Sequence, residues 1–128
     1  MAKNAGYTRL PDATRDSVRT AARTQAARAA ERYTDLLAAE AGIAARAQFP
    51  HLAQLVFRLT DDVDGPSATL IAAYAANGRR LWHVDGDQEW PDESLVTDHL
   101  AAAADWCPDG YFPATAVGDD LFQLDLNG

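Results

Sequence analysis

The sequence is poor in several residues on which common kinds of site depend. Of its 128 residues only Cys107 is a cysteine, which excludes an internal disulfide framework and a multi-cysteine zinc site and favours a reducing compartment. Lys3 is the only lysine, and none of the three serines stands in the setting of a nucleophile. A glycine-rich phosphate loop, a nucleophile elbow and a His-Glu zinc motif are also absent. We therefore expect no enzyme, no bound cofactor and no metal.

Long apolar runs are missing as well. No stretch approaches the roughly 18 apolar residues of a membrane span, and the N-terminal residues lack the apolar core of a secretory signal. These absences predict a cytoplasmic protein that does not enter a membrane. The length, with 48% hydrophobic and 23% charged residues, suits one globular domain over residues 1–128. The 27 alanines, and ten arginines beside a single lysine, are typical of a GC-rich bacterial genome.

The charge is unevenly distributed along the chain. The formal net charge is −8. Residues 1–47 carry eight basic and five acidic side chains, a net charge of +3, whereas residues 48–128 carry three basic and fourteen acidic side chains, a net charge of −11. Such asymmetry predicts a charged partner.

A long helix is predicted over residues 12–41, which are rich in good helix formers and are followed by Gly42 as a stop. Residues 1–11 are expected to be a flexible N-terminal segment, and residues 43–48 a second short helix. One stripe at helical spacing predicts the face that packs on the rest of the protein; it consists of Val18, Ala22, Ala26, Ala29, Tyr33, Leu36 and Leu37. Because alanine allows helices to approach closely, the stripe also predicts a homodimer through this N-terminal helix.

After this helix the hydrophobic period changes to two, as Leu55, Phe57 and Leu59 show. Strands are predicted over about residues 52–60, 68–75, 79–84, 114–117 and 121–126. Asn77-Gly78 predicts a type I′ hairpin turn, and Trp90-Pro91 predicts the start of a second helix that ends near Trp106. The order α-β-β-β-α-β(β) predicts an α+β fold, with the long N-terminal helix packed on a three- to five-stranded antiparallel sheet.

An acidic connection precedes the second helix and lies beside two tryptophans. Its carboxylates are those of Asp85, Asp87, Glu89, Asp92 and Glu93. Such a cluster could bind Mg²⁺ or Ca²⁺, but a solvated loop and a helix start explain it without a metal. Aromatic residues in a charged surface are typical of protein interfaces. The predicted partner-binding surface consists of Trp82, Asp85, Asp87, Glu89 and Trp90.

Two other groups of polar residues give weaker signals. Asp62-Val63-Asp64-Gly65 resembles a calcium loop, but the first and twelfth ligand positions would then be Thr60 and Ile71, so a hairpin turn explains it better. His83, His99 and Cys107 could in principle supply acid–base or thiol chemistry. Cys107 follows a predicted helix C-terminus, where the helix dipole disfavours a thiolate.

Arginines flank the predicted N-terminal helix and could contact nucleic-acid phosphates or a second copy of the chain. They are Arg15, Arg19, Arg23, Arg28 and Arg32. Interspersed acids and the overall negative charge weigh against nucleic acid. The leading hypothesis is therefore a small acidic regulatory module that binds a basic protein partner. A nucleic-acid-associated regulator is the alternative, and a small-molecule-binding or enzymatic α+β domain is the weaker one.

Overall fold

Two helices cover one face of a five-stranded antiparallel sheet in the computed structural model, which describes residues 5–108 and 111–126. The elements are α1 (Ala5–Thr8), α2 (Asp12–Gln48), β1 (Leu52–Asp62), β2 (Gly65–Ala75), β3 (Arg80–His83), α3 (Ser94–Trp106), β4 (Thr115–Gly118) and β5 (Leu121–Asp125). The strand order is β3-β2-β1-β5-β4. This architecture confirms the predicted α+β fold and its order of elements. Within the segment expected to be flexible, Ala5–Thr8 form a single helical turn, and residues 1–4 lie outside the described part of the chain.

Helix α2 is continuous over 37 residues, about 55 Å at 1.5 Å per residue. It begins after Pro11, whose carbonyl accepts a hydrogen bond from the Arg15 N–H at 2.9 Å. The predicted stop at Gly42 and the separate short helix over 43–48 are therefore wrong. An ideal Cβ added to Gly42 would lie 2.9 Å from Leu126 Cδ2. A residue without a Cβ is needed at position 42 because the C-terminal segment passes close to the helix. Gly42 itself has ordinary helical geometry, so the conformational freedom of glycine is not required there.

The face of α2 that packs on the protein differs from the predicted stripe. Its buried residues are Thr34, Ala38, Ala41, Gly42 and Ala45. At about 100° per residue, this face lies on nearly the opposite side of the helix from Val18, Leu36 and Ile43, which are 44%, 55% and 63% exposed. The small alanine side chains allow α3 to approach the helix axis closely. The buried Thr34 hydroxyl donates a 2.8 Å hydrogen bond to the Ala30 carbonyl, so it carries no unpaired polar atom into the core.

The helices α2 and α3 lie antiparallel, with an aromatic contact at each end. Tyr33 meets Trp106 edge-on at 5.2 Å between ring centroids, and Phe49 meets Trp90 at 4.8 Å. α3 therefore covers only the C-terminal half of α2. Except for the partly shielded Arg15, residues 12–29 are exposed, so the N-terminal half of α2 projects from the body of the fold.

The core lies between the two helices and one face of the sheet. β1 contributes Leu55 and Phe57, which are fully buried, and the register places Phe57 opposite Leu70 of β2 and Phe122 of β5. Leu59 is partly buried on the same face. This alternation confirms the strand predicted from Leu55, Phe57 and Leu59. Among the described elements, neither α2 nor α3 lies on the opposite face, which includes the exposed Arg58 and Thr60.

The β1–β2 and β2–β3 hairpins differ in their turns. Asp62 pairs with Gly65, so only Val63 and Asp64 form the β1–β2 turn. At the β2–β3 turn the Gly78 N–H donates to the Ala75 carbonyl at 2.9 Å, and Gly78 has a φ of +84°. Asn77 does not adopt a positive φ, so the predicted type I′ turn is wrong. The turn is instead one residue longer, with glycine in the left-handed position and a register shift in the paired strand.

The start of the second helix also differs from the prediction. α3 begins at Ser94, three residues after Pro91, because Asp92 adopts a left-handed φ of 54° before the helix. Within residues 5–108 and 111–126, no helix has the length and apolar character of a membrane span.

Candidate partner-binding surface

The acidic connection between β3 and α3 forms an ordered loop that presents its carboxylates to solvent. Asp85, Asp87, Glu89, Asp92 and Glu93 are all exposed. Backbone contacts hold the start of the loop: the Val84 N–H donates to Ile71 O at 2.8 Å and the Gly86 N–H donates to His83 O at 3.0 Å. The Asp85 N–H donates to His83 Nδ1 at 3.1 Å. The loop is therefore tied to strands β2 and β3 where its first carboxylate begins.

Trp82 and Trp90 support this loop from below. They are only 7% and 6% exposed, and their rings meet edge-on at 5.2 Å. The Trp82 Nε1–H donates to the Gln88 carbonyl at 2.8 Å, so the indole fixes the loop backbone from inside. The expectation that these two rings offer their surface to a partner is corrected: both belong to the core, because the loop folds over them and Phe49 packs against Trp90.

A depression of about 420 Å³ opens between this loop and strand β2. Its lining consists of Thr69, Leu70, Trp82, Val84, Gly86, Gln88, Glu89, Trp90 and Glu93. Leu70, Trp82 and Trp90 are almost fully buried, so Val84, at 43% exposure, is the main apolar surface of the lining, and the two glutamates are its charged groups. An Arg or Lys side chain has the matching character, with an apolar stem and a cationic end.

A second acidic cluster lies at one end of the sheet. Its members are Asp61, Asp62, Asp64, Asp119 and Asp120, all exposed. The β4–β5 turn reaches the β1–β2 hairpin because the Leu59 N–H donates to Asp120 O at 2.9 Å. Sequence reasoning missed this cluster, since only the pairing of β1 with β5 brings the two turns together. The cluster serves as a charge-matched comparison for the loop.

The residues considered for metal or thiol chemistry make local contacts. His99 Nδ1 lies 2.7 Å from the Leu95 carbonyl, and the Cys107 thiol donates to the Ala104 carbonyl at 3.2 Å. His83 accepts the Asp85 N–H described above and lies 3.9 Å from that residue's carboxylate. Over residues 5–108 and 111–126, no three His, Cys, Asp or Glu side chains are grouped as metal ligands. The carboxylates of the loop point outward and do not converge on one point.

The arginines of α2 divide into two groups. Arg15 pairs with Asp12 and Arg19 pairs with Asp16, each one helical turn apart. The side chains of Arg23, Arg28 and Arg32 are exposed. Helical spacing places Arg15, Arg19 and Arg23 on one flank and Arg28 and Arg32 on the other. The phosphates of one nucleic-acid strand could therefore contact the arginines of only one flank at a time.

Another cavity, of about 350 Å³, lies between α2 and the C-terminal segment. Its charged groups already have protein partners: Asp35 accepts the Tyr111 hydroxyl at 2.5 Å, and the Arg46 Nε–H donates to Leu52 O at 3.0 Å. The hydrogen bond to Asp35, with burial and nearby negative charge, raises the pKa of Tyr111 to about 12. These contacts fasten residues 111–113 to the helix.

Comparison with known proteins gives one limited similarity. No protein-family model and no solved structure matches the chain. A segment of 62 residues is 36% identical to Elongator complex protein 2 of Danio rerio. This segment covers 46% of the present chain and 8% of that protein.

Proposed function

We propose that this protein is a non-enzymatic interaction module that binds a basic protein partner through the β3–α3 loop. The observation that carries the proposal is the depression in which the exposed apolar side chain of Val84 lies beside the carboxylates of Glu89 and Glu93. The similarity to a protein named as a component of a complex is consistent with a role in an assembly. We place this role in the cytoplasm, where the single thiol of Cys107 stays reduced.

The proposed contact uses an arginine or lysine of the partner. Its aliphatic stem would lie on Val84, and its charge would meet Glu89 and Glu93. Charge-assisted hydrogen bonds to carboxylates are the stronger kind. The remaining acidic surface, with a net charge of −11 over residues 48–128, accelerates the encounter with a basic protein. The indole under the loop keeps the two glutamates in place before the partner arrives, which lowers the cost of ordering them.

The proposal is tested by capturing partners from lysate on the immobilised chain and measuring their affinity for two charge-matched variants. Glu89→Lys/Glu93→Lys changes the loop, and Asp61→Lys/Asp62→Lys makes the same change of charge at the end of the sheet. At about 150 mM salt, where the Debye length is about 8 Å, the loop variant should weaken binding by about tenfold or more and the control should bind almost normally.

Two results contradict the proposal. If both variants lose affinity equally, the attraction is a property of net charge and not of the loop. If no protein is captured at low or moderate salt, the proposed kind of partner is wrong. Circular dichroism of both variants checks that they are folded, as expected for substitutions at exposed positions.

A second candidate is binding of nucleic acid by the projecting half of α2. The exposed Arg23, Arg28 and Arg32 favour it, while the pairing of Arg15 and Arg19 with aspartates reduces the charge available to phosphates. This candidate predicts a mobility shift of duplex DNA that falls steeply with salt and is weakened by Arg23→Glu. Absence of a shift at low salt rejects it.

A further inference from the structure

The side of α2 that faces away from the body carries an apolar row over residues 22–43, which stops before the first turns of the helix because Arg15 occupies the preceding position at this spacing. Ala22, Ala29, Leu36 and Ile43 follow one another at intervals of seven residues. Leu36 and Ile43 are 55% and 63% exposed, although both belong to the part of α2 that packs on the fold. Seven-residue spacing of apolar residues is the pattern by which one helix packs against another. Nothing within the described chain covers this row.

Within the described residues, the N-terminal half of α2 is exposed on all sides except at the partly shielded Arg15. Residues 12–29 project past the end of α3, and their apolar members are mostly alanine. Most of the stability of a helix in a protein comes from packing of its apolar face, and this part of α2 packs on no other described element. A partner along the row would supply the missing packing. The eighteen projecting residues 12–29 also match in length the eighteen residues 31–48, beside which the body lies.

The row is complementary to itself when a second helix runs in the opposite direction. Ala29 lies at its centre, with Ala22 and Leu36 seven residues to either side. In an antiparallel pair crossing at Ala29, each Leu36 faces the small Ala22 of the other copy, so a large residue meets a small one twice.

The charges of the two halves agree with this direction. Residues 12–30 contain four arginines and two aspartates, a net charge of +2. Residues 31–48 contain two arginines and three acids, a net charge of −1. Antiparallel pairing sets the positive half of each copy against the negative half of the other. On one flank of the row it brings Arg19, which pairs with Asp16 within its own helix, close to Glu40 of the second copy, because positions 19 and 40 are nearly symmetric about Ala29.

We propose that a second copy of this chain covers the outer face of α2, forming an antiparallel helix pair centred on Ala29. The body does not obstruct this contact, since it packs on Ala38, Ala41 and Ala45 on the other side of the helix. The contact uses no residue of the β3–α3 loop, so the dimer and the proposed binding of a basic partner succeed or fail independently.

The oligomeric state of the full chain in wild-type and variant form tests the proposal. Sedimentation should give twice the chain mass of 13.8 kDa. Leu36→Lys should convert the protein to a monomer without unfolding it, because Leu36 is already mostly exposed in one copy. Val63→Lys, at the fully exposed tip of the β1–β2 turn, is the matched control and should leave the dimer intact. A monomeric wild type at millimolar chain concentration overturns the proposal, whatever other macromolecule binds the helix.

Two further experiments test the direction. Arg19→Glu should raise the dissociation constant of the dimer about tenfold, and the double variant Arg19→Glu/Glu40→Arg should restore it. In a Cys107→Ser background, Ala22→Cys and Leu36→Cys chains should form a disulfide only when mixed, since the two copies of residue 22 would be about 21 Å apart along an antiparallel pair. Disulfides between two Ala22→Cys chains would show a parallel pair and refute the geometry.

Discussion

Substituting Trp90 and Trp106 separately by alanine compares two residues of the same kind in opposite environments. Trp90 is 6% exposed and packs edge-on against Phe49 and Trp82. Trp106 is 57% exposed and has one edge-on partner, Tyr33. The structure therefore predicts a large loss of stability for Trp90→Ala and a small one for Trp106→Ala.

The magnitudes follow from the area each ring removes from water. A buried aromatic side chain covers about 150–250 Å², which at about 25 cal/mol per Å² corresponds to roughly 4–6 kcal/mol. Measured substitutions of buried tryptophan by alanine cost about 3–5 kcal/mol, so we expect about 4 kcal/mol for Trp90→Ala. For Trp106→Ala we expect about 1–2 kcal/mol, because more than half of the ring is already in water. A domain of ordinary stability, about 5–15 kcal/mol, survives either change.

The assay is equilibrium unfolding in urea followed by far-ultraviolet circular dichroism, with the slope compared between variants to confirm that each unfolds in one step. The midpoint should fall strongly for Trp90→Ala and slightly for Trp106→Ala. Equal losses, or a larger loss for Trp106→Ala, would refute the assignment of Trp90 to the core. They would also restore the possibility that Trp90 is a surface anchor.

Three further predictions concern single residues. The hydrogen bond to Asp35 raises the pKa of Tyr111 to about 12, above the ordinary value near 10. The contribution of this hydrogen bond to the stability of the folded protein is therefore complete below about pH 10 and is lost as the pH rises towards 12. Unfolding measured across this range should show the slope in wild type and not in Tyr111→Phe. Gly42→Ala should change the free energy of unfolding by less than about 1 kcal/mol, because the gain in helix propensity is opposed by the 2.9 Å contact of the new Cβ with the flexible end of Leu126. Gly42→Val should lower the free energy of unfolding by about 1–3 kcal/mol, because its larger side chain overpacks the same contact. Thermal or urea unfolding measures both changes. Gly78→Ala should cost about 1–2 kcal/mol in the same assay, because φ at Gly78 is +84°, and an unchanged midpoint would contradict the turn described.

The elements of this fold could be predicted because local patterns determine them. One face of β1 packs on the core and the other faces solvent, so apolar residues alternate with other residues along the strand, as at Leu55, Phe57 and Leu59. This alternation is visible in the sequence. The face of α2 could not be predicted in the same way. Its buried side consists of Thr34 and small alanines, whereas its outer side carries the larger apolar residues Leu36 and Ile43. A prediction based on hydrophobicity therefore selects the exposed side of the helix as the buried one.

The candidate site could be predicted only in part. The density of carboxylates between Asp85 and Glu93 is visible in the sequence, and the structure places them on an exposed loop. The burial of Trp82 and Trp90 is not visible, since it depends on the loop folding back to present the Gln88 carbonyl to the indole. Gly42 was mistaken for a stop for a similar reason: the contact that requires glycine comes from Leu126, far along the chain.

The two outermost strands of the sheet limit how this protein can associate. β3 and β4 have four residues each, and the ladder between β4 and β5 contains a register shift. Short, irregular outer strands are poor templates for backbone pairing with another molecule. Addition of a strand from a neighbour, the route to fibrous aggregates, is therefore disfavoured in this molecule. Recognition is left to side chains, which can discriminate between partners where backbone groups alone cannot.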